Sequence, residues 1–152
     1  MTTKIDSFRD DNYFLSNFYS CPITYEGITY QNTEAAFQSA KCIYERDRVS
    51  FASLNPSEAK HLGRSVPLRK DWGNVKVQVM TEIVRAKFDQ NPDLAEKLLA
   101  TGDVYLEEGN DWGDRTWGTV NGVGANLLGQ ILMQIRAEKQ QELTIELDRD
   151  LM

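Results

Sequence analysis

Two cysteines, one histidine and four prolines are spread over 152 residues, and no apolar run approaches the length of a membrane span. Each scarcity argues against a class of protein. Cys21 and Cys42 have no metal-type spacing and are too few for a disulfide scaffold, so they read as reduced thiols of a cytoplasmic protein. Neither a metal nor a cofactor is expected. Lys4, Asp6, Arg9, Asp10 and Asp11 interrupt any apolar run at the start, so no secretory leader is expected. A bilayer needs about 20 consecutive apolar residues, so no membrane partner is expected either. Basic charge is also short: 17 Lys and Arg stand against 23 Asp and Glu, a formal net charge of −6. That balance argues against a general nucleic-acid coat protein, whose affinity rests on phosphate neutralisation. Locally it reverses. Residues 41 to 70 carry Lys41, Arg46, Arg48, Lys60, Arg64, Arg69 and Lys70 against Glu45, Asp47 and Glu58, which leaves room for an anion site inside an acidic protein.

The length suits one domain, since domains commonly run to about 100–200 residues. The reading assigns residues 1–137 to it and 138–152 to an acidic tail of open order. "ITYEGITY" alternates β-branched and aromatic residues about Glu26-Gly27, the pattern of a hairpin. From Asn32 the period changes: Ala36, Phe37, Ala40, Ile43 and Tyr44 fall at helical spacing, with Asn32 or Thr33 as N-cap. "NPSEAKHLG" predicts a short helix opened by Pro56 and stopped by Gly63. Trp72, Val75, Val79, Ile83 and Ala86 predict a longer one that ends before Asn91-Pro92. Pro92 opens the next, with Leu94, Leu98 and Leu99 inward and Gly102 closing it. After a short strand in "DVYLEE", Leu127, Leu128, Ile131, Leu132 and Ile135 mark a last core helix. The expected class is α+β, mostly helical, with a small N-terminal hairpin.

Two stretches carry residues suited to chemistry. In "NTEAAFQSAK", a helix from Thr33 places Glu34, Gln38 and Lys41 along one edge beside an apolar stripe. The plain alternative is that Glu34 complements the helix N-terminus while Lys41 is a solvated charge. "WGDRTWGTVNGVGANLLG", residues 112–129, holds five of the ten glycines and two of the three tryptophans. Its G-x-G at 122–124 lacks the spacing of a dinucleotide fingerprint. Small residues before a helix at Asn126 would still let backbone N–H groups approach a phosphate, and a plain flexible loop is equally compatible. Trp112 and Trp117 are core aromatics or a stacking face. Asp114-Arg115 is a surface pair or a functional one. "PLRKDW" is a basic loop capped by Asp71 or part of an anion site. His61 receives no role.

Taken in order, "FLSNF" (14–18), "TEAAFQSAK" (33–41), "PLRKDWGNVKVQVM" (67–80), "RAKF" (85–88) and "WGD…GVGANLLGQILMQIR" (112–136) resemble the NADAR family of YbiA-like N-glycosidases. The resemblance spans roughly residues 8 to 137. It implies a mostly helical α+β fold that cleaves N-glycosidic bonds of ribose. The family's substrates are early pyrimidine intermediates of riboflavin synthesis and ADP-ribose attached to guanine. By motif, Glu34, Lys41 and Asp114 take the catalytic positions. Trp72 matches the family's tryptophan after the "PLRK" block, and with it Asn17, Phe18, Gln38, Arg69, Trp112, Gly113, Arg115, Gly124 and Asn126 are the candidate substrate-binding residues. Ala35 and Ala36 stand where the family pattern has His and Tyr, which bears on substrate preference if those side chains touch it.

Ribose N-glycosides break through an oxocarbenium-like state that needs a placed carboxylate and help for the leaving base. Glu34 and Asp114 would supply the carboxylates. Lys41 would act electrostatically or attack the anomeric carbon to form a Schiff base. The expected partner is a nucleotide-like small molecule, including ADP-ribosylated guanine in nucleic acid, with no obligate protein partner. The alternative is a non-catalytic module that reads ADP-ribose or NAD.

Overall fold

Glu26 and Gly27 both hold positive φ, 50° and 84°, as a two-residue turn matched to strand twist requires. They join β2 (Ser20–Tyr25) to β3 (Ile28–Asn32) as the expected antiparallel hairpin, with Ile23 opposite Tyr30 and Thr24 opposite Thr29. Alternation does the rest. Cys21, Ile23 and Tyr30 face inward, while Pro22 and Thr24 face solvent. The computed structural model describes residues 3–152. These group into two compact units: Ser16–Pro92, and the residues up to Leu15 together with Asp93–Met152.

The unit from Ser16 to Pro92 is built around α1 (Thr33–Ser39), whose seven residues are all buried. Asn32 is its N-cap in extended backbone, accepting from the Ala35 amide at 2.7 Å and donating to the Leu54 carbonyl. α1 packs on α3 (Pro56–Leu62), on α4 (Trp72–Gln90) and on the hairpin. α3 opens with a reciprocal capping box between Asn55 and Glu58 and has Pro56 in its first turn. Between α1 and α3 lies a short exposed helix, α2 (Glu45–Val49). α4 lies along β2, tied there by Tyr25 Oη donating to Glu82 (2.7 Å) and by the Thr24–Gln90 bonds.

Two sequence expectations need correcting here. α1 stops at Ser39 with Ala40 as C-cap, so Ile43 and Tyr44 are not on a core stripe; they are 49% and 52% exposed. The inward face of α4 is Trp72, Val79, Met80, Ile83, Val84, Lys87 and Phe88, whereas Val75 and Ala86 are only half-buried. Burial on that face takes two neighbouring positions per turn, wider than a single stripe.

In the other unit a two-residue strand β1 (Lys4–Ile5) pairs in parallel with β4 (Tyr105–Leu106). α5 (Pro92–Ala100) presents Leu94 and Leu98 inward, with Leu99 half-buried, and Gly102 closes it at φ 65°. α6 (Leu127–Asp150) buries Leu128, Ile131, Leu132 and Ile135 and packs on β4. Each fully buried Leu or Ile contributes about 1.5–3 kcal/mol. α6 runs without a break through Glu138, where the tail was expected to begin, and every residue from Gln141 on is exposed. Strong helix formers (Glu, Gln, Leu, Lys) and the Lys139–Glu142 pair sustain it. The class is α+β and mostly helical, as the sequence indicates. Among the described residues no helix is long and apolar enough to cross a membrane.

Candidate active site

Glu34 begins at the backbone. It sits in the first turn of α1, where its amide donates to the Asn17 carbonyl (3.0 Å) and where the helix dipole favours a negative side chain. Asn17 is buried, with Nδ2 against the Met80 sulfur at 3.6 Å, and Phe18 beside it is half-buried. One turn on, Gln38 Nε2 donates to Glu34 Oε1 at 2.7 Å. Both side chains are buried, Glu34 at 8% and Gln38 at 6% exposure. A carboxylate this withdrawn from water is held in one orientation, which a placed acid or base needs.

Lys41 comes after the helix, not on it. From Ala40 the chain tightens, with the Lys41 amide donating to the Gln38 carbonyl at 3.2 Å. The side chain is half-buried. Burial pulls its ammonium below the usual lysine range; the Glu34 carboxylate opposes this and Arg64 adds to it. Glu34, Gln38 and Lys41 therefore share one region, brought together by a turn rather than by the two helical turns expected.

The segment 67–72 is stitched to this turn. The Arg69 amide donates to the Lys41 carbonyl (2.9 Å), and Cys42 bridges to Leu68. Trp72 is buried on Phe37, with ring centroids 5.0 Å apart. Arg69 forks onto Asp71 through Nε (2.6 Å) and Nη2 (2.9 Å), so much of its donor capacity is already engaged. Arg48 is likewise bonded, to Glu26 and to the Cys42 carbonyl. The basic excess of 41–70 is thus partly internal.

In the other unit, Asp114 Oδ1 accepts from the Thr116 and Trp117 amides, both at 2.9 Å, and Asn110 holds both the amide and the carbonyl of Asp114. Trp112 is 55% exposed, Arg115 is exposed and Gly113 takes φ 90°.

Of the two readings left open for the stretch before α6, an open phosphate cradle does not fit the first amides of the helix. The amides of Ala125, Asn126, Leu127 and Leu128 donate to the carbonyls of Arg115, Gly118, Thr116 and Trp117 at 2.8–3.2 Å. The loop itself caps the helix, and those donors are used. Asn126 is buried, its side chain bonded to the Glu108 amide and the Leu106 carbonyl. Gly124, at φ 151°, lets this happen, because a Cβ there would strike the Gly118 carbonyl. Asn121-Gly122 forms a second two-residue turn with positive φ at both positions, closing Val120 on Val123.

Two residues have roles that the sequence pattern does not suggest. Lys87 Nζ is buried in the apolar face of α4, donating to the Ser16 carbonyl at 3.1 Å and lying over the Tyr19 and Phe88 rings. Only its place is legible: it stands four residues after Ile83 on that face. Gly63 is the other: it stops α3 as the sequence indicates, but its relation to Gln38 has no signal in its own neighbourhood. Ala35 and Ala36, the departures from the family pattern, are both fully buried.

A buried, hydrogen-bonded carboxylate beside a half-buried lysine of lowered pKa is an arrangement suited to proton transfer and to nucleophilic attack by the amine. The NADAR domain matches residues 5–139 of the chain. N-glycosidase YbiA of Shigella boydii is 40% identical over 144 residues, covering 92% of this chain and 87% of that protein. A riboflavin biosynthesis protein of Vibrio vulnificus is 41% identical over 138 residues, 87% of this chain but 37% of that longer protein. The NMR structure of Escherichia coli YbiA superposes with a TM-score of 0.80 at 38% identity, over 96% of this chain and 88% of that one. The chain belongs to the NADAR family of N-glycosidases.

Proposed function

We propose that this protein hydrolyses the N-glycosidic bond between a nucleobase and a phosphorylated ribose, either a phosphoribosyl pyrimidine or an ADP-ribosyl guanine. The observation that carries the reading is the Glu34–Gln38 bond beside Lys41: a carboxylate fixed in a low-dielectric site, next to an amine that burial makes easier to deprotonate. The relatives' names, N-glycosidase and riboflavin biosynthesis protein, agree with it.

In the proposed chemistry the neutral Lys41 amine adds to C1 of the ribose as the bond to the base breaks. The base leaves with that electron pair. The proton shed by the attacking nitrogen passes to Glu34 and on to the base. Opening of the ring then gives an imine between Lys41 and the sugar, which water hydrolyses to free sugar and free lysine. Asp114, a second catalytic acid by the family motif, already organises a turn with Oδ1, so its contribution is separable by mutation.

Incubating the protein with each riboside and following released base by mass tests the reading. Release from one of the two identifies the substrate. Binding of both without release supports the ADP-ribose reader instead, and the absence of both binding and release overturns the proposal.

A further inference from the structure

Gly63 caps the C-terminal end of α3 with φ −61°, an ordinary right-handed value that any residue adopts. Its identity is therefore not required by backbone conformation. Space requires it. A Cβ at this position would overlap Gln38 Oε1 and come within 2.8 Å of Gln38 Cδ. We infer that Gly63 is a positioning residue for Glu34, acting through Gln38. The inference rests on Glu34 as the reacting carboxylate.

The orientation of the Gln38 amide follows from its two neighbours. An ionised carboxylate only accepts, so the NH2 group must face Glu34, and it does, at 2.7 Å. That leaves Oε1 turned toward Gly63, buried and with no hydrogen-bond partner. Such a carbonyl has no interaction of its own to hold it there. What keeps it in place is the Glu34 bond on one side and the absence of a side chain on the other. Because α1 and α3 pack together, Gly63 sets the room in which the amide lies.

Adding a methyl group would push chiefly on the far end of a flexible side chain, with the Ala59 carbonyl oxygen the nearest backbone atom at 3.2 Å. The fold can yield at that point. The Gln38–Glu34 bond cannot yield and remain as it is, so the damage falls on the carboxylate's placement. Gly63 touches no reacting atom in this account.

The test compares wild type, Glu34→Gln, Gly63→Ala, Gln38→Ala and the Gln38→Ala/Gly63→Ala double variant. Base release gives kcat and KM, thermal unfolding reports the fold, and the Gln38 side-chain amide resonances report positioning without substrate. Gly63→Ala should unfold close to wild type and lose roughly ten- to a hundredfold in kcat with KM little changed, as expected for a bond to a charged group. Gln38→Ala should lose a similar factor. The double variant should lose no more than Gln38→Ala alone, because the new methyl occupies room the amide has left. Gly63→Ala should also move the Gln38 amide resonances, as Glu34→Gln does.

Losses that multiply in the double variant, unmoved amide resonances, or full kcat in Gly63→Ala while Glu34→Gln is inactive would each overturn the inference. If Gly63→Ala does not fold, the double variant still decides it: a rate equal to that of Gln38→Ala supports positioning, and a lower one contradicts it. A wild-type rate in Glu34→Gln overturns the role given to Glu34 as the reacting carboxylate, whereas the amide resonances still test the contact.

Discussion

Lys41 illustrates how a residue can be legible while its setting is not. The motif pointed to it and the period placed it on a helix, yet α1 ends at Ser39 and a tight turn carries Lys41 to its place. Single-residue spacing cannot show where a helix stops when the following residues, Cys42 to Tyr44, continue an apolar pattern. The turn leaves the amine half-buried, with Glu34 and Arg64 acting on it in opposite senses. A lowered pKa means a larger neutral fraction at neutral pH, which favours attack on a sugar carbon. Borohydride added during turnover should therefore leave a ribosyl-derived mass on the Lys41 peptide. Lys41→Arg keeps charge but forms no imine, so it should abolish trapping and most activity. A near-wild-type rate in Lys41→Arg with nothing trapped would limit the lysine to electrostatics and leave water as the nucleophile.

The elements were largely readable, because each carries its own start and stop. Asn32 and the Asn55–Glu58 box cap α1 and α3, Pro92 opens α5, and Glu26-Gly27 turns the hairpin. The glycine-rich stretch was read less well. Asn121-Gly122 is a strong hairpin signal in its own right, but Gly122 also opens a G-x-G pattern that masks it. The loop's use of its own carbonyls to satisfy the α6 amides depends on a fold-back between residues 115–118 and 125–128, which no local pattern reveals. Asp114 belongs to this loop, and two variants separate its possible roles. Asp114→Asn keeps an acceptor for the Thr116 and Trp117 amides, so the unfolding midpoint should hold while base release falls if the charge is catalytic. Asp114→Ala should also destabilise the protein, by about 0.5–2 kcal/mol, the usual loss for a side-chain cap. Full activity in Asp114→Asn would confine the residue to the turn.

For the whole molecule, Lys87 links stability to pH. It is fully buried, and burial pulls its ammonium down to about 8, with Cys21 opposing. Below pH 8 the folded and unfolded states are both protonated there, and the cost of burying the charge is constant. Between pH 8 and the ordinary lysine value of 10.5 the unfolded chain keeps a proton that the folded one has shed, so stability rises with pH. The rise is at most about 1.4 kcal/mol per pH unit. Urea unfolding of wild type and Lys87→Met should show their difference moving in the wild type's favour across that window, and a constant difference contradicts the assignment. Glu34, to which the family motif points, is buried on a hydrogen bond from Gln38 and carries the proposed chemistry. The most direct measurement is the rate of base release by Glu34→Gln on the substrate that wild type cleaves, with thermal unfolding measured alongside. The amide keeps the shape but cannot carry a proton, so the rate should fall about 10²- to 10⁴-fold while the unfolding midpoint stays near wild type. A folded Glu34→Gln protein that releases base at the wild-type rate would contradict the account.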